Sequence, residues 1–208
     1  VQTQSASNPS LIATFNITTS GAVPFTADDV IARVIANDQL IQDVMADITV
    51  VSNAEWMPPN TQLKLWEKGD KQKIQVISPN PGVYIREASE NNGTPVNMAR
   101  SILSFDVVTN VYTIKSVQEG QAEEHPYEIE NIDYAKGVII KSEHYLKEGN
   151  YVCLVIREYT NFANINGIWG FQSMTETMYD GAGTLTYTTA HTYSNIQYNT
   201  GISDGEFE

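Results

Sequence analysis

The spacing of the apolar residues changes near Asp47, and this change restricts the possible folds more than any other feature of the sequence. Before Asp47 the apolar residues recur every three or four positions, which is the period of a helix. After Asp47 they alternate, and turn residues appear at short intervals, as strands joined by hairpins require. The sequence therefore predicts one helix followed by a long meander of antiparallel strands.

The predicted helix runs from Thr26 to Ala46. Thr26 and Asp29 can cap each other's backbone amides, and Asp28 and Asp29 lie at the positive end of the helix dipole. The apolar residues fall on one face: Val30, Ile31, Val34, Ile35, Leu40, Ile41, Val44 and Met45. A stripe of this kind is more often a core face than a cofactor site, so we expect the helix to pack on the sheet.

Strands are predicted at residues 61–67, 72–77, 102–108, 111–117, 127–132, 138–146, 151–159, 173–179, 185–191 and 194–198. Proline and glycine mark loops at residues 58–59, 78–82 and 91–95, and residues 79–100 as a whole are interpreted as a polar loop. So many strands in one domain must twist and coil, which gives an open half-barrel or a barrel with one face left to cover. The predicted fold class is α+β, with the helix packed on a strongly curved antiparallel sheet.

Residues 151–156 are apolar on both faces of their strand, whereas a strand with one wet face would alternate. One face could meet the helix and the other a lid, or the concave face could line a cavity for an apolar ligand; plain core packing is the alternative. Trp56, Trp66 and Trp169 could stack on a ligand, although packing is the leading explanation for them. The inward strand positions are the candidate lining residues of a cavity: Leu63, Leu65, Ile74, Val76, Phe105, Val152, Leu154, Ile156 and Met174.

Composition argues against several classes of partner. The formal charge of −13 and the 12 scattered basic residues disfavour nucleic acid, because phosphate-backbone binding needs clustered Lys and Arg. No apolar run approaches the roughly 18 residues of a membrane span, so membrane contact is expected to be peripheral or through an upstream anchor. Cys153 is the single cysteine, which argues against a disulfide framework or a thiolate metal cluster, and its apolar neighbours favour a buried, inert thiol over a nucleophile.

No motif in the sequence nominates an active site. His125, His144 and His191 lie far apart, and the sequence contains neither a Gly-x-Ser-x-Gly elbow nor a phosphate-binding glycine loop. The acidic runs at residues 123–125 and 204–206 match no metal-ligand template and are interpreted as solvated loops. We therefore expect no catalytic residues, no metal and no cofactor. A hydrolase whose site is assembled only in space is the alternative.

Residues 1–24 are expected to be a tether that precedes a single domain at residues 25–208. The chain begins at Val1 with Gln, Thr, Ser, Ala, Asn and Pro, the composition of a flexible linker left after removal of an export signal. A frayed end on a cytoplasmic protein is the alternative. The sequons at Asn16 and Asn92 fit an exported protein without deciding the question. We expect an extracytoplasmic protein, in the periplasm or at the cell surface, with a lipid anchor upstream of Val1.

The last third of the chain carries a distinctive series of turns and strand edges. They are Ile132-Asp133, Gly137-Val138-Ile139-Ile140-Lys141-Ser142-Glu143 and Tyr145, Asn166-Gly167-Ile168-Trp169, Ser173-Met174, Asp180-Gly181-Ala182-Gly183-Thr184-Leu185-Thr186, and Ser194-Asn195-Ile196-Gln197-Tyr198-Asn199-Thr200-Gly201-Ile202-Ser203-Asp204 with Phe207. Nearer the start, the helix is followed by Leu63-Lys64-Leu65-Trp66-Glu67-Lys68-Gly69-Asp70-Lys71. Together these segments resemble the outer-membrane lipoprotein-sorting, LolA-like family over most of the chain after Phe25.

The resemblance implies an unclosed half-barrel with helices against its concave side and an apolar cavity within. Members of the family carry the acyl chains of lipoproteins across the periplasm, or are anchored lipoproteins that bind lipid-like or protein partners. It therefore implies a non-catalytic envelope protein that holds a lipid or a lipoprotein acyl chain. The alternative is an anchored protein-interaction domain with a filled core, which meets its partner through an exposed edge or the loop at residues 91–95. The usual glycine-led hairpin in the middle of the family pattern, which shapes the lid and the mouth of the cavity, is not evident here. A soluble carrier needs no tether, so the tether-like residues 1–10 favour an anchored relative of the carrier.

Overall fold

The structure, a computed structural model, describes residues 23–87, 98–119, 126–148 and 151–208. Within these ranges the chain forms one α-helix, thirteen strands and a short 3₁₀ helix at Asp204–Phe207. The bounds are α1 Ala27–Asp38, β1 Asp43–Ser52, β2 Asn60–Lys68, β3 Lys71–Ser78, β4 Gly82–Glu87, β5 Met98–Asp106, β6 Val111–Gln118, β7 Tyr127–Asp133, β8 Val138–Glu148, β9 Tyr151–Thr160, β10 Ala163–Ile165, β11 Ile168–Gly170, β12 Ser173–Tyr179 and β13 Leu185–Tyr198.

Several sequence-based expectations concern residues outside those ranges. Four features lie outside the described residues: both sequons, the acidic run at residues 123–125, the loop at residues 91–95 and nearly all of the expected tether. In the part of the chain that is described, no helix has the length and apolar character needed to cross a membrane.

Eleven strands form a single antiparallel sheet in the order β4-β3-β2-β1-β13-β12-β9-β8-β7-β6-β5. The final strand, β13, pairs with β1 on one side and with β12 on the other, so it joins the early and late parts of the meander. The strand order ends at β4 and at β5, and the sheet is not closed between them. Strands β10 and β11 form a separate two-stranded hairpin. The expected α+β fold is confirmed: an unclosed, curved antiparallel sheet with a helix on its concave face.

The helix begins where the sequence predicts it. The Asp29 amide donates to the Thr26 hydroxyl oxygen at 3.2 Å, and the Thr26 amide donates to the Asp29 carboxylate at 2.9 Å. The two residues thus form a capping box, which satisfies two amides at the helix start.

The prediction that the helix continues to Ala46 is wrong. The helix ends at Asp38, and β1 starts at Asp43. The Asp43 carboxylate accepts hydrogen bonds from the amides of Thr200 at 2.7 Å, Gly201 at 2.9 Å and Ile202 at 3.2 Å. These contacts hold the chain beside the end of β13, and this tertiary interaction overrides the helical spacing of the local apolar residues.

Three further elements differ from the sequence prediction. The strands predicted at residues 185–191 and 194–198 are one strand, β13, with a bulge opposite β1 where Asn195 adopts a positive φ of 52°. The polar loop predicted at residues 79–100 contains β4, which pairs with β3, and the start of β5. The hairpin of β10 and β11 was not predicted, because its strands have only three residues each.

Two apolar clusters cover the face of the sheet on which α1 packs, which we call the inner face. In the first, Val30 and Val34 of α1 contact Tyr112, Ile114 and Ile132 of the sheet. The second contains Ala46, Ile48 and Val50 of β1, with partly buried side chains packed around them: Met57, Leu63, Leu65, Tyr193 and Ile196. The helix therefore covers one end of the inner face and leaves the other to be closed by different elements.

Candidate ligand-binding cavity

A cavity of about 460 Å³ lies on the inner face between α1, the sheet and the β10–β11 hairpin. Its aliphatic lining comes from the helix, the loop after it and four strands: Val34, Ile41, Val44, Leu65, Val138, Ile139 and Ile196. Its aromatic lining comes from the hairpin region and from β9 and β13: Tyr159, Phe162, Trp169, Phe171, Tyr193 and Tyr198. The size falls within the roughly 300–1,000 Å³ of small-molecule pockets, which are likewise mostly apolar.

The β10–β11 hairpin is fixed to the C-terminal end of α1 by one buried side chain. Asn37 is only 4% exposed, and its amide nitrogen donates to the Trp169 carbonyl at 2.9 Å. In return, the Trp169 amide donates to the Asn37 side-chain oxygen at 3.1 Å. The Lys136 ammonium lies 5.7 Å from the Trp169 ring centre and 6.0 Å from that of Phe162, and it forms an ion pair with Asp133. These contacts place the hairpin over the cavity.

The hairpin also approaches the end of β13 very closely. A methyl group built on Gly170 would lie 2.0 Å from the Tyr198 hydroxyl oxygen, a distance that atoms cannot adopt. Only glycine therefore fits at this position in the present arrangement. Burial raises the pKa of Tyr198, and the nearby Asp38 raises it further, so this phenol stays neutral at physiological pH.

An aromatic cluster forms part of the cavity wall. The Phe171 ring lies 4.8 Å from the Tyr159 ring and 5.2 Å from the Tyr193 ring, which it meets edge to face at 89°. Such arrangements are favourable for aromatic pairs beyond the area they bury. Burial raises the pKa of Tyr193, so its hydroxyl also remains protonated.

The polar lining of the cavity is amide and carboxylate in character. This polar lining consists of Asn37, Asp38, Glu67 and Gln72. The residues that line the cavity include no Lys, Arg or His. Burial raises the pKa of Asp38, although a hydrogen bond from the Asn37 side chain opposes the shift. The Gln72 side-chain amide donates to the Glu67 carboxylate at 3.2 Å. Neither carboxylate forms an ion pair with another described residue.

The structure brings some of the sequence-predicted lining residues onto the cavity side. Leu65 lines the cavity directly. Strand register places Ile74 opposite Leu65, and Val76 opposite Leu63, so these four side chains share the inner face. Met174 is opposite Tyr159 and shares that face as well, without lining the cavity.

The other predicted lining residues lie elsewhere. Phe105 stacks on Tyr112 at 4.3 Å, in the cluster beneath α1. Leu154 and Ile156 alternate with the cavity-lining Tyr159 along β9, so they lie on the opposite, outer face of the sheet. They were chosen because both faces of the strand are apolar, and that pattern cannot say which face turns inward. Val152 and Cys153 lie in β9, but their side chains are outside the described part of the structure.

Most of the aromatic lining was not predicted from the sequence. Four of these residues cluster along the chain between residues 159 and 171, where β9 ends and the hairpin begins: Tyr159, Phe162, Trp169 and Phe171. That cluster was the available signal, but of its four residues only Trp169 was considered for ligand stacking, with packing as the leading explanation. The two remaining aromatic residues, Tyr193 and Tyr198, come from β13, and only the fold brings them to the same wall.

A row of polar side chains crosses the inner face beside the cavity. The His144 Nδ1 lies 3.0 Å from a Glu128 carboxylate oxygen, and its Nε2 lies 3.2 Å from the Ser142 hydroxyl. The Arg157 guanidinium lies 3.2 Å from the same Nε2 and donates to Glu176 at 2.8 Å. Because arginine can only donate, Nε2 must accept, and the proton of a neutral His144 is on Nδ1, toward Glu128.

Ser142, His144 and Glu128 thus have the order of a nucleophile, a base and an orienting acid. No such set is visible in the sequence, because facing positions on neighbouring strands leave no local motif. Two features disfavour nucleophilic chemistry: Ser142 is only 3% exposed, and Arg157 occupies the lone pair that would accept its proton. The row is better explained as a hydrogen-bonded ladder that links neighbouring strands.

The acidic run at residues 204–206 is engaged by lysines of the sheet. The Lys68 ammonium lies 2.9 Å from Asp204, and the Lys73 ammonium lies 3.4 Å from Glu206. Among the residues that the structure describes, no group of three or more His, Cys, Asp or Glu side chains is placed to hold a metal ion.

No family model matches the sequence, and no curated protein matches it. Solved structures do match the fold. A domain from Vibrio parahaemolyticus, described as an outer membrane lipoprotein-sorting protein, aligns with a TM-score of 0.63 and 13% identity over 86% of this chain and 95% of that chain. A LolA superfamily protein from Nitrosomonas europaea aligns with a TM-score of 0.59 and 12% identity over 88% and 98% of the two chains. A DUF1329 family protein from Desulfovibrio piger gives 0.60 and 13% over 87% and 96%.

This chain has the LolA-like fold. The resemblance inferred from the closing turns and strands is confirmed for the architecture, because all three alignments cover most of both chains. At this level of identity the likeness establishes the fold, and function must be argued from the site.

Proposed function

We propose that this chain is a non-catalytic binding protein of the cell envelope, which holds a lipid or a lipoprotein acyl chain in the cavity beneath the β10–β11 hairpin. The observation that carries the proposal is the cavity itself, about 460 Å³ in volume and lined largely by aliphatic and aromatic side chains. Similarity to solved structures described as lipoprotein-sorting and LolA superfamily proteins supports the same class of ligand.

The energetics of such binding need no reacting group. Each methylene of an acyl chain contributes about 0.8 kcal/mol when it moves from water into an apolar site. Affinity then depends on how much of the chain the cavity accepts, and on how little the protein must rearrange. The hydrogen bonds between Asn37 and Trp169 favour a cavity that is already formed before the ligand enters.

A non-catalytic role also agrees with the surroundings of Ser142. A fluorophosphonate probe, which labels activated serines, should leave the protein unmodified, because Ser142 is buried and Arg157 competes for its base. Stoichiometric labelling that is lost in Ser142→Ala would support the hydrolase alternative instead.

An extracytoplasmic location follows from the proposed cargo. In this proposal residues 1–24 tether the domain of residues 25–208 to the membrane, and the domain receives or holds its ligand at the membrane surface. Protease treatment of intact cells and of spheroplasts can test the location. Cleavage only after the outer barrier is opened supports the periplasm, cleavage in intact cells supports the cell surface, and protection in both contradicts the proposal.

Native mass spectrometry of the gently purified protein tests the bound ligand. We expect an added mass that is released by organic extraction and identified as a lipid or an acylated peptide. Extracted protein should then regain the mass when it is incubated with the lipid. A protein that purifies without a ligand and takes up none after delipidation would contradict the proposal.

A second candidate function is protein interaction through the exposed edge of the sheet. Strand β4 ends the strand order, and its Val83, Tyr84 and Ile85 are 55%, 59% and 42% exposed. Exposed edges of this kind can accept a strand from another chain. A stable complex that forms with delipidated protein, and that Tyr84→Lys abolishes, would favour this function over acyl-chain binding.

A further inference from the structure

We propose that the cavity selects an amphiphile with a positively charged head group, an ammonium, over one with a carboxylate, phosphate or sulfate head group. This inference rests on the proposed function and narrows it to a class of ligand. Three features of the cavity support it: the sign of its ionisable lining, the orientation of the helix that ends at it, and the aromatic rings in its wall.

The acidic side chains in the cavity lining have no basic counterpart there. Asp38 and Glu67 both line the cavity, and no basic side chain is among the lining residues. Neither carboxylate has a cationic partner among the described residues, although Gln72 donates a hydrogen bond to Glu67. A bound ammonium would supply the missing opposite charge, whereas a carboxylate or a phosphate would face two like charges.

The helix adds to this negative potential. Asn37 and Asp38 are the last residues of α1 and both line the cavity, so the C-terminal end of the helix lies at its wall. This end of the helix dipole carries a partial negative charge, and it favours cations close to the last turn. The last turn of α1 contains no basic residue that would satisfy this preference.

Burial makes the position of Asp38 more favourable for a cation. The apolar surroundings raise the pKa of Asp38, which means that its charged form is poorly solvated there. A cation within the cavity would stabilise that charged form. An anionic head group would destabilise the charged form of Asp38 further.

The aromatic wall suits an ammonium for an independent reason. Tyr159, Phe171 and Tyr193 form a contiguous group, and the faces of aromatic rings attract cations. Phe162 and Trp169 already lie near one ammonium, that of Lys136, whose charge is balanced by Asp133. The rings of Tyr159, Phe171 and Tyr193 therefore remain available for a ligand.

Three probes with the same apolar chain separate the head group from the tail: dodecyltrimethylammonium, dodecanol and dodecanoate. Each is titrated into delipidated protein below its micelle-forming concentration, with tryptophan fluorescence and calorimetry as readouts. We expect the ammonium to bind about tenfold more tightly than the alcohol, and dodecanoate to bind more weakly than the alcohol. The advantage of the ammonium should decrease with added salt, while the affinity of the alcohol should not.

The variants Asp38→Asn and Glu67→Gln, alone and combined, test the assignment to these carboxylates. Each should reduce the preference for the ammonium, and the combination should bring it close to the alcohol, with the affinity for dodecanol unchanged. The matched control is Glu158→Gln, because Glu158 is an exposed carboxylate on the outer face of β9. Unchanged dodecanol binding shows that a variant has kept its cavity.

The outcomes distinguish this inference from the function on which it rests. If dodecanoate binds as tightly as the ammonium, or if the ammonium preference survives in the combined variant, the inference is wrong and acyl-chain binding stands. If none of the three probes binds, the proposed function itself fails. If the combined variant loses dodecanol binding, the two single variants and the salt dependence of the unaltered protein decide the matter.

Discussion

Asn37 and Trp169 exchange two hydrogen bonds across 132 residues of sequence, and this pair fixes the hairpin that covers the cavity. The amide of Asn37 matches a backbone donor and a backbone acceptor at the same time, which neither an aspartate nor an aliphatic side chain can do. One side chain therefore joins the end of the helix to the wall of the cavity.

Replacing this amide should destabilise the protein. Asn37→Ala leaves the backbone amide and carbonyl of Trp169 without these partners in a partly buried position, at a cost of about 1–3 kcal/mol for each group that water cannot reach. Urea unfolding measures the change, with Asn60→Ala at an exposed position as the control. A loss in Asn37→Ala no larger than in the control would show that the pair does not hold the hairpin.

The contact between Gly170 and Tyr198 should be visible as coupling between two substitutions. Gly170→Ala brings a methyl group to 2.0 Å from the Tyr198 hydroxyl, and we expect a loss of about 1–3 kcal/mol from overpacking. Tyr198→Phe removes the clashing oxygen and should recover part of that loss. Recovery is only partial because the Tyr198 ring carbon that carried the oxygen remains 3.2 Å from the added methyl group. A double-mutant cycle measures the coupling, and Gly82→Ala, with contacts no closer than 3.6 Å, is the control. Strict additivity would contradict the contact.

Asp43 should make the stability depend on pH in the acid range. Burial alone would raise its pKa, but hydrogen bonds from Thr200, Gly201 and Ile202 outweigh burial and lower the pKa below its ordinary value. A lowered pKa means that the carboxylate contributes stability above about pH 4, and that this contribution is lost as the pH falls toward the pKa of the folded state. Unfolding at about pH 7 and about pH 3 should show a large effect of Asp43→Asn at the higher pH and a smaller one at the lower.

The exposed Asp70→Asn serves as the control for this comparison, since Asp70 lies in the turn between β2 and β3. An effect of Asp43→Asn that is the same at both pH values would contradict the role assigned to the carboxylate.

Tyr112 offers a substitution that should not destabilise. Its ring is fully buried in the cluster beneath α1, and its hydroxyl has no hydrogen-bond partner among the described residues. Tyr112→Phe removes a desolvated hydroxyl without opening a cavity, so we expect a gain of up to about 1 kcal/mol in unfolding free energy. Tyr187→Phe, which removes a hydroxyl that donates to Glu176 at 2.9 Å, should instead lose about 0.5–1.5 kcal/mol. Equal losses in both variants would contradict this interpretation.

Local signals in the sequence predicted the elements that depend on near neighbours. The capping pair of Thr26 and Asp29 located the start of the helix, and alternation located most strands. The end of the helix could not be predicted in this way, because the carboxylate of Asp43 is bound by residues at the far end of the chain. The bulge at Asn195 is likewise visible only once β13 is paired with β1.

The candidate site was less predictable than the fold. The apolar pattern of residues 151–156 suggested a cavity, but alternation alone cannot say which face of β9 turns inward, so Leu154 and Ile156 were chosen and Tyr159 was not. Leu65 lies on the cavity side, and its strand has one clearly apolar face. The aromatic wall needs β9, the hairpin and β13 to come together, and that depends on long-range topology.

Filling the cavity while the protein binds a fluorescent acyl probe tests the central claim most directly. Ile41→Trp places a larger side chain in the cavity lining, and Ile77→Trp makes the same change at an outer position that is 41% exposed. Acyl-chain binding in the cavity predicts that the delipidated protein and Ile77→Trp bind one probe with equal affinity, and that Ile41→Trp binds it at least tenfold more weakly. No binding to the delipidated protein, or equal binding to Ile41→Trp, would contradict the claim.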